Sequence, residues 1–544
     1  MITNDFAQKT KELIDNLKAI CATAGLGNDG NEFKIITQIF LYKFLNDKFS
    51  FEIKKLDEKL AKSPNFEKSI AELSNNEFEI LKMQLPANTA TLNPNHFISS
   101  LFNQQNESNF AQIFDETLRD IAITNNDIFS VKTEGGAKII LFDKTSEFIT
   151  DSAKRNNFCK AIINKLVNFS FENIFHQKFD FFSTIFEYLI KDYNKDSGGK
   201  YAEYYTPHAV AKIMANILVP KDQQGIIKNV SCYDPSAGSG TLLMNIAHAI
   251  GENRCTIYSQ DISQKSTGLL RLNLILNNLV HSIQNIIQGN TMLHPFHRDQ
   301  KNNLTKFDYI VSNPPFKTDF SDYRDDLDND QNHSRFFAGI PKIPNKDKDK
   351  MAIYLLFIQH IMFSLSAKGK GAIVVPTGFI TAQSGIEKKI REKLIDEKML
   401  AGVVSMPSNI FATTGTNVSI LFIDKTNKEN VVLIDASKLG ETVKEGKNQK
   451  TVLRIDEENK IINVFNKKEA IDDFSVVVSY DEIKAKNYSL SAGQYFDVKI
   501  EYVDITKEEF EKKMKGFSDN LEQMFGESRE LESEIKKGLK GLSL

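Results

Sequence analysis

"SCYDPSAGSGTLLMNIAHAI" (Ser231–Ile250) is the stretch on which the fold turns. It reads as a strand, a tight glycine-bearing turn and then a helix. Gly238 and Gly240 let the backbone come close to a ligand. Asp234 stands at the carboxyl end of the strand, and ligands of open α/β sheets bind outside those ends. A dinucleotide fingerprint needs a third glycine where Leu243 stands, so the turn suits a ligand without a pyrophosphate. A plain strand-to-helix turn would use the same glycines for geometry alone.

The pattern repeats on either side. "CTIYSQD" (255–261), "NIIQG" (285–289), "FDYIVSN" (307–313), "GAIVVP" (371–376), "LAGVVSM" (400–406) and "NVSILFID" (417–424) read as strands, as does "NVSCYD" (229–234). Helical patterns such as "QKSTGLLRLNLILNNL" and "AIYLLFIQHIMFSLS" lie between them. Strand–helix alternation implies βαβ units and a mostly parallel sheet with helices on both faces. Residues 1–165 carry helical spacing instead, as in "FKIITQIFLYKFLNDKF" (Phe33–Phe49), with little strand pattern. A polar stretch, Lys317–Lys350, interrupts the alternation, and a loop of that length is usually functional or disordered. Residues 501–544 return to helix. Phe510, Met514, Phe517, Leu521 and Met524 alternate steps of four and three, and Leu531, Ile535 and Leu539 continue roughly in phase. The expected division is therefore 1–165 as an α-helical domain, 166–500 as the α/β domain and 501–544 as a helical tail.

Composition bounds the setting. The 544 residues are long enough for several domains at roughly 100–200 residues each. No apolar run reaches the roughly 18–20 residues of a membrane span, and the first twenty residues lack a signal peptide's apolar core. A cytoplasmic protein with no membrane partner is expected. Four scattered cysteines show no ligand spacing, so a metal site is not expected. The net charge of −3 lacks the basic excess of a protein that grips DNA unaided. Nucleic acid would need a local basic patch or a partner that does most of the gripping.

The chemistry lies at the strand ends. Asp261 closes the second strand, where an acidic group can accept hydrogen bonds from two ribose hydroxyls. Gly289 and Asn290 end the third, in position to line an adenine pocket. The fourth ends in "NPPF". The Asn313 amide oxygen and the Pro314 carbonyl are two acceptors, and the fixed φ angles of Pro314 and Pro315 hold them rigid. Two acceptors suit a substrate –NH₂. A nucleobase amine is a poor nucleophile because its lone pair is delocalised; accepting both hydrogens draws the nitrogen toward tetrahedral geometry and frees the pair. Phe316 can stack on the base. A sulfonium methyl is a sufficient electrophile, and positioning supplies most of the barrier reduction. Prolines that merely end a strand would look the same in isolation.

"DPSAGSG" followed by "NPPF" resembles the class I, S-adenosylmethionine-dependent amino-methyltransferases that act on DNA adenine. "GGKYAEYYTPHAVAKIM" resembles their cofactor-closing segment, with Glu203, Tyr204, Tyr205, Thr206, Pro207 and His208 in matching places, and "FFSTIFEYLIKDY" resembles the preceding helix. The order of closing segment, glycine turn and NPPF is the one called gamma. More specifically, the chain resembles the modification subunits of type I restriction–modification systems. "FLYKFLNDKF", "GAIVVPTGFI" and "VVSMPSNIFATTGTNVSILFI", with Pro407 and Phe411, are similar to their recurrent segments.

The resemblance implies S-adenosylmethionine as cofactor, held by residues 203–208, by Asp234, Ser236, Ala237, Gly238, Ser239 and Gly240, and by Asp261, Gly289 and Asn290. Asp261 stands where the family often has Glu, which preserves the ribose role. Asn313, Pro314, Pro315 and Phe316 would be catalytic, acting on an adenine flipped out of the duplex. Tyr205 and Phe316 are stacking candidates; Phe336 and Phe337 suit ordinary packing better than stacking. It also implies partners: DNA, a specificity subunit shared by two modification subunits, and a restriction subunit. The C-terminal stripe would dock on the specificity subunit's long helices. N4-cytosine methylation and protein-glutamine methylation use a similar amine clamp and remain open. A cofactor-regulated scaffold without catalysis is a third reading, disfavoured by the intact Asn313–Phe316 and Asp234–Gly240 sets.

Overall fold

The structure, a computed structural model, describes residues 2–27, 30–172, 206–411, 417–445, 448–496 and 505–541, together with Phe175, Ile185 and Tyr188. They fall into two compact units, Met1–Tyr495 and Phe496–Leu544.

An 11-stranded sheet runs through the first unit. Its strands are β1 (Val131–Thr133), β2 (Lys138–Ile139), β3 (Val230–Asp234), β4 (Cys255–Asp261), β5 (Ile286–Gln288), β6 (Phe307–Ser312), β7 (Leu365–Pro376), β8 (Leu400–Ser405), β9 (Val418–Asp424), β10 (Asn430–Asp435) and β13 (Ser475–Ser479). The remaining two, β11 (Glu441–Glu445) and β12 (Asn448–Val452), form a separate hairpin. The spatial order is β13-β10-β8-β9-β7-β6-β3-β4-β5-β1-β2. β3, β4, β5 and β6 pair in parallel, β7 joins β6 in parallel, and β9 runs antiparallel between β7 and β8. This is the mostly parallel, helix-covered sheet expected from the strand–helix alternation. From β3 the chain winds outward through β4 and β5 and then returns to the other side of β3 as β6. The crevice between β3 and β6 is the point where the order reverses, which is where such sheets bind ligands.

Both faces are covered, so the central strands bury apolar side chains on each side. Cys232, Ile257, Ile310, Val311, Ala372, Ile373, Val374 and Val375 are fully buried. The helices Thr241–Ile250 and Gln264–Leu276 pack beside β3 and β4. Gly240, at φ +84°, ends the turn between β3 and the first of them. A Cβ there would stand 2.3 Å from Leu270 Cδ1, so the glycine lets the two helices approach as well as supplying a left-handed residue.

The N-terminal residues differ from expectation in one respect. They are mostly helical, led by Ile2–Thr23 and Gly30–Leu56, but they also contribute β1 and β2. β1 adds to the main sheet parallel to β5, and β2 closes the edge. Strands of three and two residues joined through Gly135 and Gly136 are too short to show a period of two. β10, β13 and the β11–β12 hairpin also went unpredicted, and β7 begins earlier than expected. The long stretch after β6 is ordered around a small core of its own. Phe320, Leu327, Phe336 and Ile340 pack against Met292, Met351, Ile353, Leu356 and Phe357. Phe336 is buried there, with the Arg335 guanidinium 4.2 Å from its ring, and Phe337 meets Lys393.

No described helix is long and apolar enough to cross a membrane. The described part of the second unit is one helix, Lys507–Gly541, unbroken through Gly526 and Ser528.

Candidate active site

The carboxyl ends of β3, β4, β5 and β6 surround one cavity of about 170 Å³. Thr206, Asp234, Ser236, Ala237, Gly238, Ser239, Asp261, Asn290, Asn313 and Pro315 all line it, so residues from four strand ends and from the segment before the helix His208–Leu218 converge.

Each wall has a local cause. Asp234 ends β3, and its Oδ1 accepts from Ser236 N at 2.9 Å, which folds the start of the turn. Ser236 Oγ lies 2.7 Å from Ser312 Oγ and so ties the turn to the end of β6. Asp261 ends β4 and braces the same turn from the other side. Its Oδ2 accepts from Gly238 N and its Oδ1 from Ser263 N, both at 2.9 Å. Each oxygen keeps a second lone pair. Thr291 Oγ1 donates to Pro235 O at 2.7 Å and joins the end of β5 to the turn. Asn290 Oδ1 accepts from Met292 N and Leu293 N, closing the loop after β5.

Burial dominates the electrostatics. Asp234 is 1% exposed, and loss of water pushes its carboxyl up to about 8, with nearby Asp261 pushing the same way. Asp261 is also raised by burial, opposed by its two backbone donors. Both carboxyls therefore favour a cationic or hydroxyl-bearing ligand over an anionic one.

Asn313 follows β6 directly. Its Nδ2 donates to Thr206 Oγ1 at 3.2 Å. Thr206 is 6% exposed and stands just before the helix whose N-cap is Pro207. This bond occupies the donor end of the amide and leaves Oδ1 as the acceptor end. Phe316 is half-buried, edge-on to Tyr354 at 6.3 Å.

Pro207, His208, Gly240, Gly289, Pro314 and Phe316 do not line the cavity. Glu203, Tyr204, Tyr205 and the segment "FFSTIFEYLIKDY", apart from Ile185 and Tyr188, lie outside the described residues. Among the wall residues that sequence reasoning missed are Thr318, Tyr323, Ile353 and Phe357. The first two come from the polar stretch after "NPPF". Thr318 N donates to Met351 O at 3.1 Å, and the Tyr323 hydroxyl is raised by burial, opposed by the Asn290 side chain. The aromatic residues Phe320 and Tyr323 amid the acidic run were the available signal that the stretch folds back.

Comparison with known proteins decides the family. The family model for N-6 DNA methylases matches residues 177–503, more than half of the chain. The chain belongs to the N-6 DNA methylase family. It is a DNA methyltransferase of the N6 class, built on the class I fold. Among its relatives is the type I restriction enzyme MpnII methylase subunit of Mycoplasma pneumoniae, 29% identical over 70% of this chain and 68% of that protein. Another is the MjaIX methylase subunit of Methanocaldococcus jannaschii, 27% identical over 74% and 70%. The crystal structure of the type I restriction-modification methyltransferase subunit from Streptococcus thermophilus shares the fold. Its TM-score is 0.73 at 23% identity, covering 90% of this chain and 100% of that one.

Proposed function

We propose that the chain transfers a methyl group from S-adenosylmethionine to the N6 amine of an adenine flipped out of double-stranded DNA. It does so as the modification subunit of a cytoplasmic type I restriction–modification complex. The observation that carries this reading is the convergence of Asn313 with Asp234 and Asp261 on one cavity at the switch point of the sheet.

The residues present fit the cofactor. Asp261 keeps free lone pairs for ribose hydroxyls, Asn290 supplies an edge for adenine, and buried Asp234 suits the ammonium end. Gly238, at φ +52°, brings the turn's backbone to the cavity wall. S-adenosylmethionine, when bound, supplies an electrophilic methyl on a sulfonium. Asn313 Oδ1, set by Thr206, and the Pro314 carbonyl accept the two hydrogens of the target amine. That interaction strengthens as the nitrogen becomes tetrahedral, so it acts on the transition state more than on the ground state. Tyr323 and Phe357 offer aromatic faces on the cavity wall, and half-buried Phe316, next to cavity-lining Pro315, is the stacking candidate for the base. The proton leaves after transfer, when the amine is cationic and acidic, and needs no strong base.

Partners follow from the same reading. Residues 166–500 serve catalysis and 501–544 serve docking, behind the helical residues 1–165. A specificity subunit, bound by two copies of this chain, supplies the address on DNA, and a restriction subunit completes the complex. The formal charge of −3 supports an external grip on the duplex.

Incubation with S-adenosylmethionine, DNA and the specificity partner, followed by nucleoside analysis, tests the assignment. N6-methyladenine is expected; N4-methylcytosine, or methylated protein glutamine with unmodified DNA, would overturn it.

A further inference from the structure

The loop that carries Asn290 is held by a residue from the N-terminal part of the chain. Between β1 and β2 the chain turns through Glu134–Ala137, and Glu134 N donates to Gln288 O at the end of β5, 2.9 Å away. The side chain then crosses the strand end. Glu134 Oε2 accepts from Asn290 N at 2.6 Å, and Oε1 lies 3.1 Å from His294 Nδ1. His294 N in turn donates to Asn290 O at 2.8 Å, so the carboxylate and the loop form one closed unit.

Gly289 shows how tight the crossing is. A Cβ on that residue would stand 2.2 Å from Glu134 Oε2 and 2.6 Å from Glu134 Cβ. The glycine therefore makes room for this carboxylate, while Asn290 alone of the pair reaches the cavity. A carboxylate on a backbone N–H is among the stronger hydrogen bonds, and here it fixes the peptide next to a cavity-lining amide. β1 itself is parallel-paired to β5, so hairpin and loop are joined by backbone pairing as well as by the carboxylate.

We propose that Glu134 is a positioning residue for the cofactor cavity: through it the N-terminal segment sets the placement of Asn290 and hence the affinity for S-adenosylmethionine. The inference rests on reading the cavity as the cofactor site. Glu134 touches no reacting atom and acts through Asn290. Linkage requires the converse, that cofactor binding stabilises the β1–β2 hairpin.

Calorimetric titration of the full chain with S-adenosylmethionine, for wild type, Glu134→Ala and Glu134→Gln, tests this together with hydrogen exchange over residues 131–139. Alanine is expected to weaken binding about tenfold, while glutamine, which keeps an acceptor for Asn290 N, stays within about threefold. Cofactor should slow exchange in the wild-type hairpin and leave the alanine variant's unchanged. Equal affinity in wild type and Glu134→Ala would overturn the proposal, as would a glutamine variant no better than alanine. Should the alanine variant not fold, wild-type exchange decides: hairpin protection by cofactor supports the link, and its absence refutes it. Wild type that fails to bind S-adenosylmethionine would sink the functional reading as well, whereas intact wild-type binding with an indifferent Glu134→Ala would sink this link alone.

Discussion

Asp234 is raised to about 8 mainly because burial strips water from its carboxylate. An unfolded aspartate titrates near about 3.9. A folded pKa above the unfolded one means that the native state holds the proton longer. The resulting stability is complete below the unfolded value and is lost as pH rises through the folded one. The ligand-free protein should therefore lose thermal stability between about pH 4 and about pH 8, and Asp234→Asn should flatten that part of the curve. Ligand binding has the opposite sign. A cationic ammonium beside Asp234 favours the ionised form, so S-adenosylmethionine should bind more tightly as pH rises through the same window. The asparagine variant should lose that dependence. Melting curves and titration calorimetry across the range check both signs. A wild-type affinity that is flat or falls with pH would remove Asp234 from the ammonium end.

At the scale of elements, the C-terminal helix makes the sharpest statement. Phe510, Met514, Phe517, Leu521, Met524, Leu531, Ile535 and Leu539 are each more than half exposed along Lys507–Gly541. On the proposed reading, this stripe at heptad spacing is the surface that packs on the specificity subunit's helices. Phe517→Asp with Leu521→Asp should abolish co-purification of the specificity subunit, while the melting of Met1–Tyr495 stays unchanged. Unaltered co-purification would place the docking surface elsewhere. This stripe was legible because heptad spacing is a local signal. So were β3, β4, β6, β8 and β9, whose apolar runs are bounded by turn residues. β1 and β2 were not, since strands of three and two residues draw their stability from their neighbours, β5 for β1 and β1 for β2, rather than from their own pattern. The polar stretch after β6 hid its core for a similar reason: Phe320, Leu327, Phe336 and Ile340 are too sparse among polar residues to mark one continuous helix or strand.

Across the whole molecule, the sheet brings together what the sequence spreads over more than a hundred residues. Asp234, Asp261, Asn290 and Asn313 could each be placed at a strand end from sequence, and all four reach one cavity. Thr206, expected to face the cofactor, also sets the Asn313 amide through a contact 107 positions away. Glu134 escaped notice because its partner, Asn290, lies far off in the chain, and Tyr323 because it reaches the cavity from within an ordered insertion. The central claim is that Asn313 clamps the substrate amine without holding the cofactor. It is tested most directly by comparing Asn313→Ala with wild type, both assembled with the specificity subunit, in single-turnover methyl transfer to DNA and in S-adenosylmethionine titration. Transfer is expected to fall on the order of a hundredfold or more, with cofactor affinity within about twofold of wild type. Transfer at the wild-type rate, or a loss explained wholly by weakened cofactor binding, would contradict the clamp.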